Sequence, residues 1–417
     1  MPLVPLVPLV RPFRALRPAP ARVAEVAAPP YDVLSSDEAR VRAAGKPWSF
    51  LHVSKPEIDL PPGADPYSPA VYAQGAESFA RMREAGVLVR DPAPAYYVYR
   101  FSVGELVQTG IAVTASIAAY DANRVRRHEL TRPDKEDDRV RHMTALNAQT
   151  GPVLAAYPPA AALDALLAER ARAGPETDVV ADGGVRHSIW PVRDADAIRR
   201  IGAAFDAMPA IYIADGHHRS AAAARVAAAR RQRGAGADAS HEWFLVVAFP
   251  HHELRILDYN RVVRDLGGLS LDAFLGKLRA SFEVSASEAA VRPARHGEVG
   301  LYAGGRWHRL APRTGSPEPA DPVARLDASL LTDRILAPVL GIGDLRTDKR
   351  VDFIGGGRGL SELEKRVDSG EMAAAFALYP TRLDDLMAVA DAGAVMPPKS
   401  TWFEPKLADG LLAHVLD

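Results

Sequence analysis

The sequence predicts a mixed α/β fold of the α+β type, because strand-like and helix-like segments alternate irregularly along its 417 residues. The segments 95–103 and 106–120 are rich in β-branched and aromatic residues and flank Gly104-Glu105, which is typical of a β-hairpin. Other segments, such as 69–84, have a helical pattern. Hairpins mixed with helices argue against a regular doubly wound sheet.

The same patterns predict the other elements in chain order. Helices are expected at 69–84, 160–173, 195–208, 220–233, 271–282 and 382–392. Short apolar runs predict strands at 210–214, 243–249 and 375–380. Residues 254–263 are expected to form a strand that pairs with 243–249. A helix near Ser361 carries the capping-box pattern Ser361-x-x-Glu364.

Composition excludes several classes of protein. Hydrophobic residues make up 48% of the chain and charged residues 25%, so the chain can bury a sizeable core. The net charge is −1, from 51 basic and 52 acidic residues, which gives no reason to expect nucleic acid or an anionic membrane as a partner. There are no cysteines, which excludes disulfides, thiolate metal sites and a thiol nucleophile.

The length suggests two or three domains. Residues 1–12 are expected to be a Pro-rich extension, because prolines interrupt an apolar run that is too short to span a bilayer and lacks the features of a signal peptide. We expect the rest of the chain to divide into a core at 13–265 and a C-terminal α/β region at 266–417 that completes the functional site. We expect a cytoplasmic protein without a membrane partner.

The stretch "IYIADGHHRSAAAAR" is the first candidate site. A strand meets a Gly turn and then an alanine-rich helix, where free N–H groups and the helix dipole favour an anion. Asp215 is a candidate Mg²⁺ ligand or proton acceptor. The candidate phosphate ligands are Gly216, His217, His218, Arg219 and Ser220. Two alternatives remain open: Asp215 only caps the helix, or the adjacent histidines bind zinc.

The second candidate site lies in "RRHELTRPDKEDDRVRHMTALNAQTGPVLAAY". Glu129 follows His128 and is surrounded by cations, so its carboxylate is a candidate general base with His128 beside it. Arg132 and Lys135 are candidates for neutralising a transferring phosphoryl group. The alternative is an ordinary solvated charged loop.

Two further segments are weaker candidates. Gly355–Gly359 could cradle a phosphate, but the spacing fits neither a Walker A loop nor a dinucleotide fingerprint, which favours a flexible turn. The segment "VMPPKSTWFEPKL" presents Lys399, Ser400 and Thr401, an ammonium and two hydroxyls that could meet a phosphate or a polar substrate.

Six segments in this order resemble one bacterial and archaeal family that is catalogued as a domain of unknown function. They are "RPFRALRP", "APPYDVLS", "RHELTRPDKEDDRVRH", "YIADGHHRSAAA", "LYPTRLDDLMAVADAG" and "MPPKSTWFEPKL". That family is similar to free serine kinases and, more distantly, to the ParB/sulfiredoxin superfamily. The resemblance therefore implies a ParB/sulfiredoxin-like core with large insertions.

The resemblance also implies an activity, the phosphorylation of free L-serine to O-phosphoserine with ATP, ADP or pyrophosphate as donor. It implies that the turn at 215–219 receives the donor phosphates and that Glu129 is the base for the substrate hydroxyl. Mg²⁺, held through Asp215, is expected to bridge the phosphates. The alternatives are a nucleotide-binding, ParB-like regulatory protein without kinase activity and a metal hydrolase that uses the histidine pairs. DNA binding is not expected, because no basic face or reading helix is evident.

Overall fold

A computed structural model describes residues 7–181, 183–234, 236, 238–315 and 319–417. The chain forms two compact units. The first unit contains the residues up to Leu254 together with Pro405–Asp417, and the second unit contains Arg255–Glu404. Among the described residues, no helix is both long enough and apolar enough to cross a bilayer.

The strands follow one another along the chain as β1 (Val10–Arg11), β2 (Ala15–Pro18), β3 (Leu88–Arg90), β4 (Tyr96–Val103), β5 (Leu106–Ser116), β6 (Val125–Arg126), β7 (Ala148–Gln149), β8 (Val153–Tyr157), β9 (Thr177–Val180), β10 (Arg186–Val192), β11 (Ile211–Asp215), β12 (Trp243–Pro250), β13 (Ile256–Leu257), β14 (Tyr259–Val263), β15 (Phe282–Ser287), β16 (Val299–Ala303), β17 (Arg306–Pro312), β18 (Val351–Gly355), β19 (Ala374–Leu378), β20 (Trp402–Phe403) and β21 (Ala413–Val415).

The α-helices are α1 (Val23–Val26), α2 (Ser36–Ala43), α3 (Leu51–Ser54), α4 (Pro69–Glu84), α5 (Ile117–Asp121), α6 (Pro133–Leu146), α7 (Ala161–Arg170), α8 (Ala195–Asp206), α9 (His217–Gln232), α10 (Leu271–Leu278), α11 (Asp327–Leu331), α12 (Ala337–Leu340), α13 (Leu360–Asp368) and α14 (Leu383–Asp391). A π-helical turn at Thr332–Leu336 joins α11 to α12.

The first unit is built on a sheet of nine strands in the order β6-β11-β8-β12-β5-β4-β10-β9, with β1 also pairing with β5. Its central strands are almost completely buried, and Leu167 of α7, Phe205 of α8 and Val226 of α9 pack in the same hydrophobic core. Strands β6 and β11 are parallel neighbours, with Val125 opposite Ile211. The chain that leaves β6 therefore runs beside the end of β11.

A second sheet in the first unit has the order β3-β2-β21-β7. Its core contains Phe50, Phe79 of α4, Leu146 of α6 and Ala413 of β21. Strand β21 comes from the last residues of the chain and lies between β2 and β7, to which it is antiparallel.

The second unit contains an antiparallel sheet in the order β15-β17-β16-β19-β14-β18 and a short pair, β13-β20. Alternate residues of its strands face two separate cores, as the period of a β-strand requires. Val263 and Phe376 pack with the segment from α10 to α12, whereas Val262 and Ala375 pack against α13.

The mixed α/β class is confirmed. The predicted hairpin is present, with Val103 opposite Leu106. Helix α4 has the predicted bounds, and the other predicted helices lie within three or four residues of their expected ends. The sheet segment 106–120 ends at Ser116, because Ser116 caps α5 by accepting a hydrogen bond from the N–H of Ala119.

Residues 254–263 do not pair with β12, so that prediction is wrong. Strand β14 instead pairs with β18 and β19 of the second unit. The predicted domain boundary after residue 265 therefore differs from the observed division. In the structure, the first unit is discontinuous in sequence, with one segment ending at Leu254 and a second segment beginning at Pro405. Apolar content predicts that a segment is a strand, but not which strand it pairs with.

The extension predicted at 1–12 is shorter than expected. Leu9 is fully buried, and Val10 and Arg11 pair with Ala115 and Thr114 of β5. Residues 1–6 lie outside the described part of the chain.

The capping box predicted at Ser361 does not form, because Ser361 lies inside α13, whose N-cap is Gly359. A complete capping box is found at Ser35, whose hydroxyl accepts a hydrogen bond from the N–H of Glu38 while the Glu38 carboxylate accepts one from the N–H of Ser35.

We expect Ser35→Ala to lower the free energy of unfolding by ~1 kcal/mol. Ser361→Ala, the matched control, should change it by less than ~0.5 kcal/mol. Urea unfolding measures both, and equal effects would contradict the assignment.

Candidate functional site

The junction between β11 and α9 has the predicted strand–turn–helix geometry. Asp215 ends the strand, Gly216 has a φ of 96°, and α9 begins at His217. The backbone N–H groups of Arg219 and Ser220 bond to the Gly216 carbonyl at 2.9 and 3.1 Å. The first N–H groups of the helix have no partner within it, which makes this helix end suitable for an anion.

The loop after β6 lies against this helix end. Oε2 of Glu129 is 3.7 Å from Nδ1 of His217, and the rings of His128 and His217 lie 4.5 Å apart at 90°. The backbone N–H of Arg132 donates to Nε2 of His218 at 3.0 Å. The structure thus brings together the two candidate sites, which are separated by more than eighty residues in the sequence.

The two histidines beside Glu129 are buried, with 2% of His128 and 3% of His217 exposed. Burial lowers the pKa of His128 to about 4, against the smaller effects of the Ile213 carbonyl and Asp215. Burial, followed by the neighbouring His128, places the pKa of His217 well below its ordinary value. Both rings are therefore neutral at neutral pH and meet a ligand as dipoles rather than as cations.

Arg219 is buried, and its guanidinium forms hydrogen bonds with other residues of the protein. Its Nη1 donates to the Pro152 carbonyl at 2.6 Å and its Nη2 to Oδ2 of Asp215 at 3.0 Å. Oδ2 of Asp32 lies 3.8 Å from Nη2. Only 5% of Arg219 is exposed, so its guanidinium joins acidic residues of the first unit and does not face solvent as the predicted phosphate ligand would.

Two features of the structure require a glycine at position 216: the backbone conformation there and the closeness of the Arg219 side chain. Its positive φ favours glycine, and a Cβ added there would lie 2.9 Å from Nε of Arg219. Ser220, another predicted phosphate ligand, is completely buried, and its hydroxyl donates to the His217 carbonyl at 2.9 Å. The side chain of Ser220 therefore satisfies the helix rather than facing a ligand.

Asp215 lies between two cations. Nη2 of Arg219 is 3.0 Å and Nζ of Lys406 is 3.5 Å from its Oδ2. Burial acts to raise the pKa of Asp215, but the charges of Lys406 and Arg219 outweigh it and lower the pKa to about 2. A Mg²⁺ ion at this carboxylate would have to compete with both cations.

Lys406 and Asp409 belong to the returning C-terminal segment, and the sequence patterns did not indicate them as site residues. Asp409 is 1% exposed, and its Oδ2 accepts a hydrogen bond from the N–H of Tyr31 at 3.2 Å. The guanidinium of Arg139 stacks 4.0 Å above the Tyr31 ring. Together they line a small cavity whose wall includes Tyr31, Arg139, Thr150, Gly151, Arg219 and Asp409. The motif "MPPKSTWFEPKL" contains Lys406 but ends at Leu407, before Asp409, and its spacing from "APPYDVLS" does not show that the two segments meet.

The buried carboxyl group of Asp409 is expected to make the stability of the fold depend on pH. Burial, opposed by the charge of Arg219, raises its pKa from 3.8 to about 7. A carboxyl group that binds its proton more tightly in the folded chain stabilises the fold below its ordinary pKa, and this contribution is lost as the pH rises towards 7. Asp409→Asn cannot titrate, so the variant should gain stability relative to the wild type between pH 4 and 7. Urea unfolding at several pH values tests this, and parallel pH profiles would contradict it.

The candidate cations near Glu129 differ in exposure. Arg132 has 71% of its side chain exposed and pairs with Asp134 at 3.0 Å. Nζ of Lys135 lies 2.6 Å from the Tyr67 hydroxyl. Both flank the start of α6, so they remain candidates for contacting a phosphoryl group.

The remaining predicted ligands belong to the second unit. Lys399 has a φ of 57°, and its Nζ lies 5.9 Å from the Tyr259 ring centroid. Ser400 is 7% exposed, and its hydroxyl donates to the Pro397 carbonyl at 2.8 Å. Thr401 follows directly and is partly buried. Within their unit, these residues form a well-packed loop.

The glycines at 355–359 also have packing roles in the second unit. A Cβ on Gly355 would lie 2.6 Å from the Trp402 ring, and one on Gly357 would lie 2.8 Å from Oε1 of Glu404. The close approach of these two neighbours accounts for the glycines without a bound phosphate.

Comparison with known proteins gives one family and several structural neighbours. The family model described as "Protein of unknown function (DUF1015)" matches residues 10–329. No curated protein sequence matches the chain. A conserved hypothetical protein from Pyrococcus furiosus is 13% identical, with 72% of this chain and 94% of that chain covered and a TM-score of 0.34.

Two further solved structures are similar at the same level. A free serine kinase in complex with AMP is 12% identical, with 70% of this chain and 86% of that chain covered and a TM-score of 0.34. SbnI with a C-terminal truncation, from Staphylococcus aureus, is 11% identical, with 72% and 85% covered and a TM-score of 0.34.

Proposed function

From the premise that this chain belongs to the DUF1015 family, we propose that it is a small-molecule kinase that phosphorylates free L-serine to O-phosphoserine with ATP, ADP or pyrophosphate as donor. The observation that carries the proposal is the 3.7 Å separation between Oε2 of Glu129 and Nδ1 of His217. It places a carboxylate that can accept a proton beside a helix end that can hold an anion.

In this proposal, the start of α9 binds the donor phosphates. The first N–H groups of the helix and the ring of His218 are the donors nearest to them, and Arg132 and Lys135 offset the developing charge. Arg219 supports the site indirectly, because it holds Asp215 in place.

Glu129 acts on the acceptor. Its carboxylate takes the hydroxyl proton of serine as the hydroxyl oxygen bonds to phosphorus and the bond to the donor's leaving oxygen breaks. Phosphoryl transfer depends mainly on positioning and charge stabilisation, so this set of groups suffices without a Walker motif. Mg²⁺ would neutralise the donor phosphates when bound, with the phosphate oxygens as its principal ligands because Asp215 already contacts two cations.

The test is direct. The protein is incubated with Mg²⁺, each of the three donors and a pool of hydroxyl metabolites that includes L-serine, and the products are followed by phosphorus NMR. We expect a new phosphomonoester that depends on serine and on one donor. If no donor gives a product, the kinase proposal fails. Nucleotide binding without turnover, together with a salt-dependent gel shift on DNA, would favour the regulatory alternative instead.

A further inference from the structure

Three side chains beside the α9 start have the composition of a metal site. His128, Glu129 and His217 each offer one ligand atom, and these atoms lie within 4.8 Å of one another. The first two come from the loop after β6, and the third is the first residue of α9. The parallel pairing of β6 with β11 brings these two segments together.

This cluster differs from the adjacent histidine pair His217-His218 that the sequence suggested. His218 turns away, and its Nε2 accepts a hydrogen bond from the backbone N–H of Arg132. His217 instead faces His128 and Glu129. Neighbouring histidines thus diverge, and the second imidazole of the cluster comes from a distant part of the sequence.

The burial of the two rings suits a metal site. Only 2% of His128 and 3% of His217 is exposed, so both rings lie in the protein interior beside Glu129. Nε2 of His217 is buried and has no hydrogen-bond partner among the described residues. Buried polar atoms are normally satisfied, so an imidazole in this condition calls for a ligand.

We propose that His128, Glu129 and His217 bind a divalent transition-metal ion in preference to Mg²⁺. Imidazole nitrogen favours ions such as Zn²⁺, Fe²⁺, Ni²⁺ and Cu²⁺, whereas Mg²⁺ favours oxygen ligands. Two histidines and one carboxylate leave coordination positions open. Glu129 has 45% of its side chain exposed, so water or an anionic ligand can approach the cluster from the side of Glu129.

The cluster can close on an ion with little movement. Bonds of ~2.1 Å in a tetrahedral arrangement would put the ligand atoms ~3.4 Å apart, which is shorter than their present spread. Glu129 is the exposed member of the cluster, so its side chain is the one that can move most freely towards the ion. The inference does not require phosphoryl transfer, and a carboxylate bound through one oxygen keeps the other for a proton.

The test measures metal binding without any nucleotide or amino acid. Chelator-treated, tag-free full-length protein is titrated with Zn²⁺, Co²⁺ and Mg²⁺ by calorimetry, and Co²⁺ binding is also followed by its visible absorption. We expect one equivalent of Zn²⁺ or Co²⁺ to bind at least ~10-fold more tightly than Mg²⁺ and to raise the melting temperature.

The variants then locate the site. Glu129→Gln preserves shape at an exposed position and should weaken Zn²⁺ binding at least ~10-fold. His217→Gln should abolish stoichiometric binding, with circular dichroism confirming that the variant is folded. His218→Gln, the sequence neighbour that faces away, and the exposed His252→Gln are the controls and should bind as the wild type does.

Tighter binding of Mg²⁺ than of Zn²⁺, or wild-type affinity in Glu129→Gln, would overturn the inference. Equal losses in His218→Gln and His217→Gln would overturn it as well. Because no substrate is present, these outcomes are independent of the kinase assay. Metal binding without any phosphomonoester would retain the metal site and reject the kinase, and the reverse result would do the opposite.

Discussion

Replacing Glu129 with glutamine is expected to lower turnover by ~10²- to 10⁴-fold, the usual contribution of a positioned general base. The amide keeps the size of the side chain but cannot accept the hydroxyl proton. Donor affinity should be nearly unchanged, because the start of α9 and its N–H groups are untouched. Steady-state kinetics for serine, together with calorimetric binding of the donor, measure the two effects separately.

Asp134→Asn is the matched control for this experiment. It removes a carboxylate in the first turn of α6 that pairs with Arg132 and is otherwise exposed, so turnover should stay close to that of the wild type. Assays at saturating metal separate loss of the base from weaker metal binding. Unimpaired turnover in Glu129→Gln would remove Glu129 from the role of base.

Arg219→Ala is expected to destabilise the protein by ~1–3 kcal/mol, because it leaves the groups that the buried guanidinium contacts without their donor. The guanidinium contacts Asp215 at 3.0 Å and lies 3.8 Å from Asp32, and both would lose a buried cation. The Pro152 carbonyl would also lose its donor. Urea unfolding, read out by circular dichroism, gives the change in the free energy of unfolding.

Arg132→Ala provides the comparison. Arg132 is 71% exposed and pairs with Asp134 at the surface, where such pairs contribute at most ~1 kcal/mol. Its loss should leave stability almost unchanged and weaken donor binding instead. If Arg219→Ala proved as stable as the wild type but lost donor affinity, Arg219 would be a phosphate ligand after all, and the structural role assigned here would be wrong.

The elements that local pattern predicts well are those whose determinants lie close together in the sequence. The hairpin at Gly104-Glu105 depends on two adjoining strands, and α4 depends on its own pattern. The pairing of 254–263 failed because it is decided by β18 and β19, about a hundred residues further on. Nothing within the segment itself specifies those partners.

In the candidate site as well, features set by neighbouring residues were predicted, whereas features set by distant residues were not. The strand–turn–helix at Asp215–His217 and the importance of the "RHEL" loop could be predicted from residue types. The burial of Arg219 could not, because an arginine at a helix start has the same sequence pattern whether it faces a ligand or three carboxylates. Lys406 and Asp409 were missed since their contacts with the Asp215 region join the end of the chain to its middle.

The placement of β21 has a consequence for the order in which the two units can fold during synthesis. Because β21 lies between β2 and β7, the first unit's smaller sheet lacks an inner strand until residues 413–415 have been synthesised. Every residue of the second unit is synthesised before then. Domains generally fold as units during synthesis, so the second unit, which is continuous in sequence, can fold while the first still waits for its last strand. Lys406 reaches Asp215 on the same returning segment, so the candidate site is completed only after the whole second unit has been synthesised.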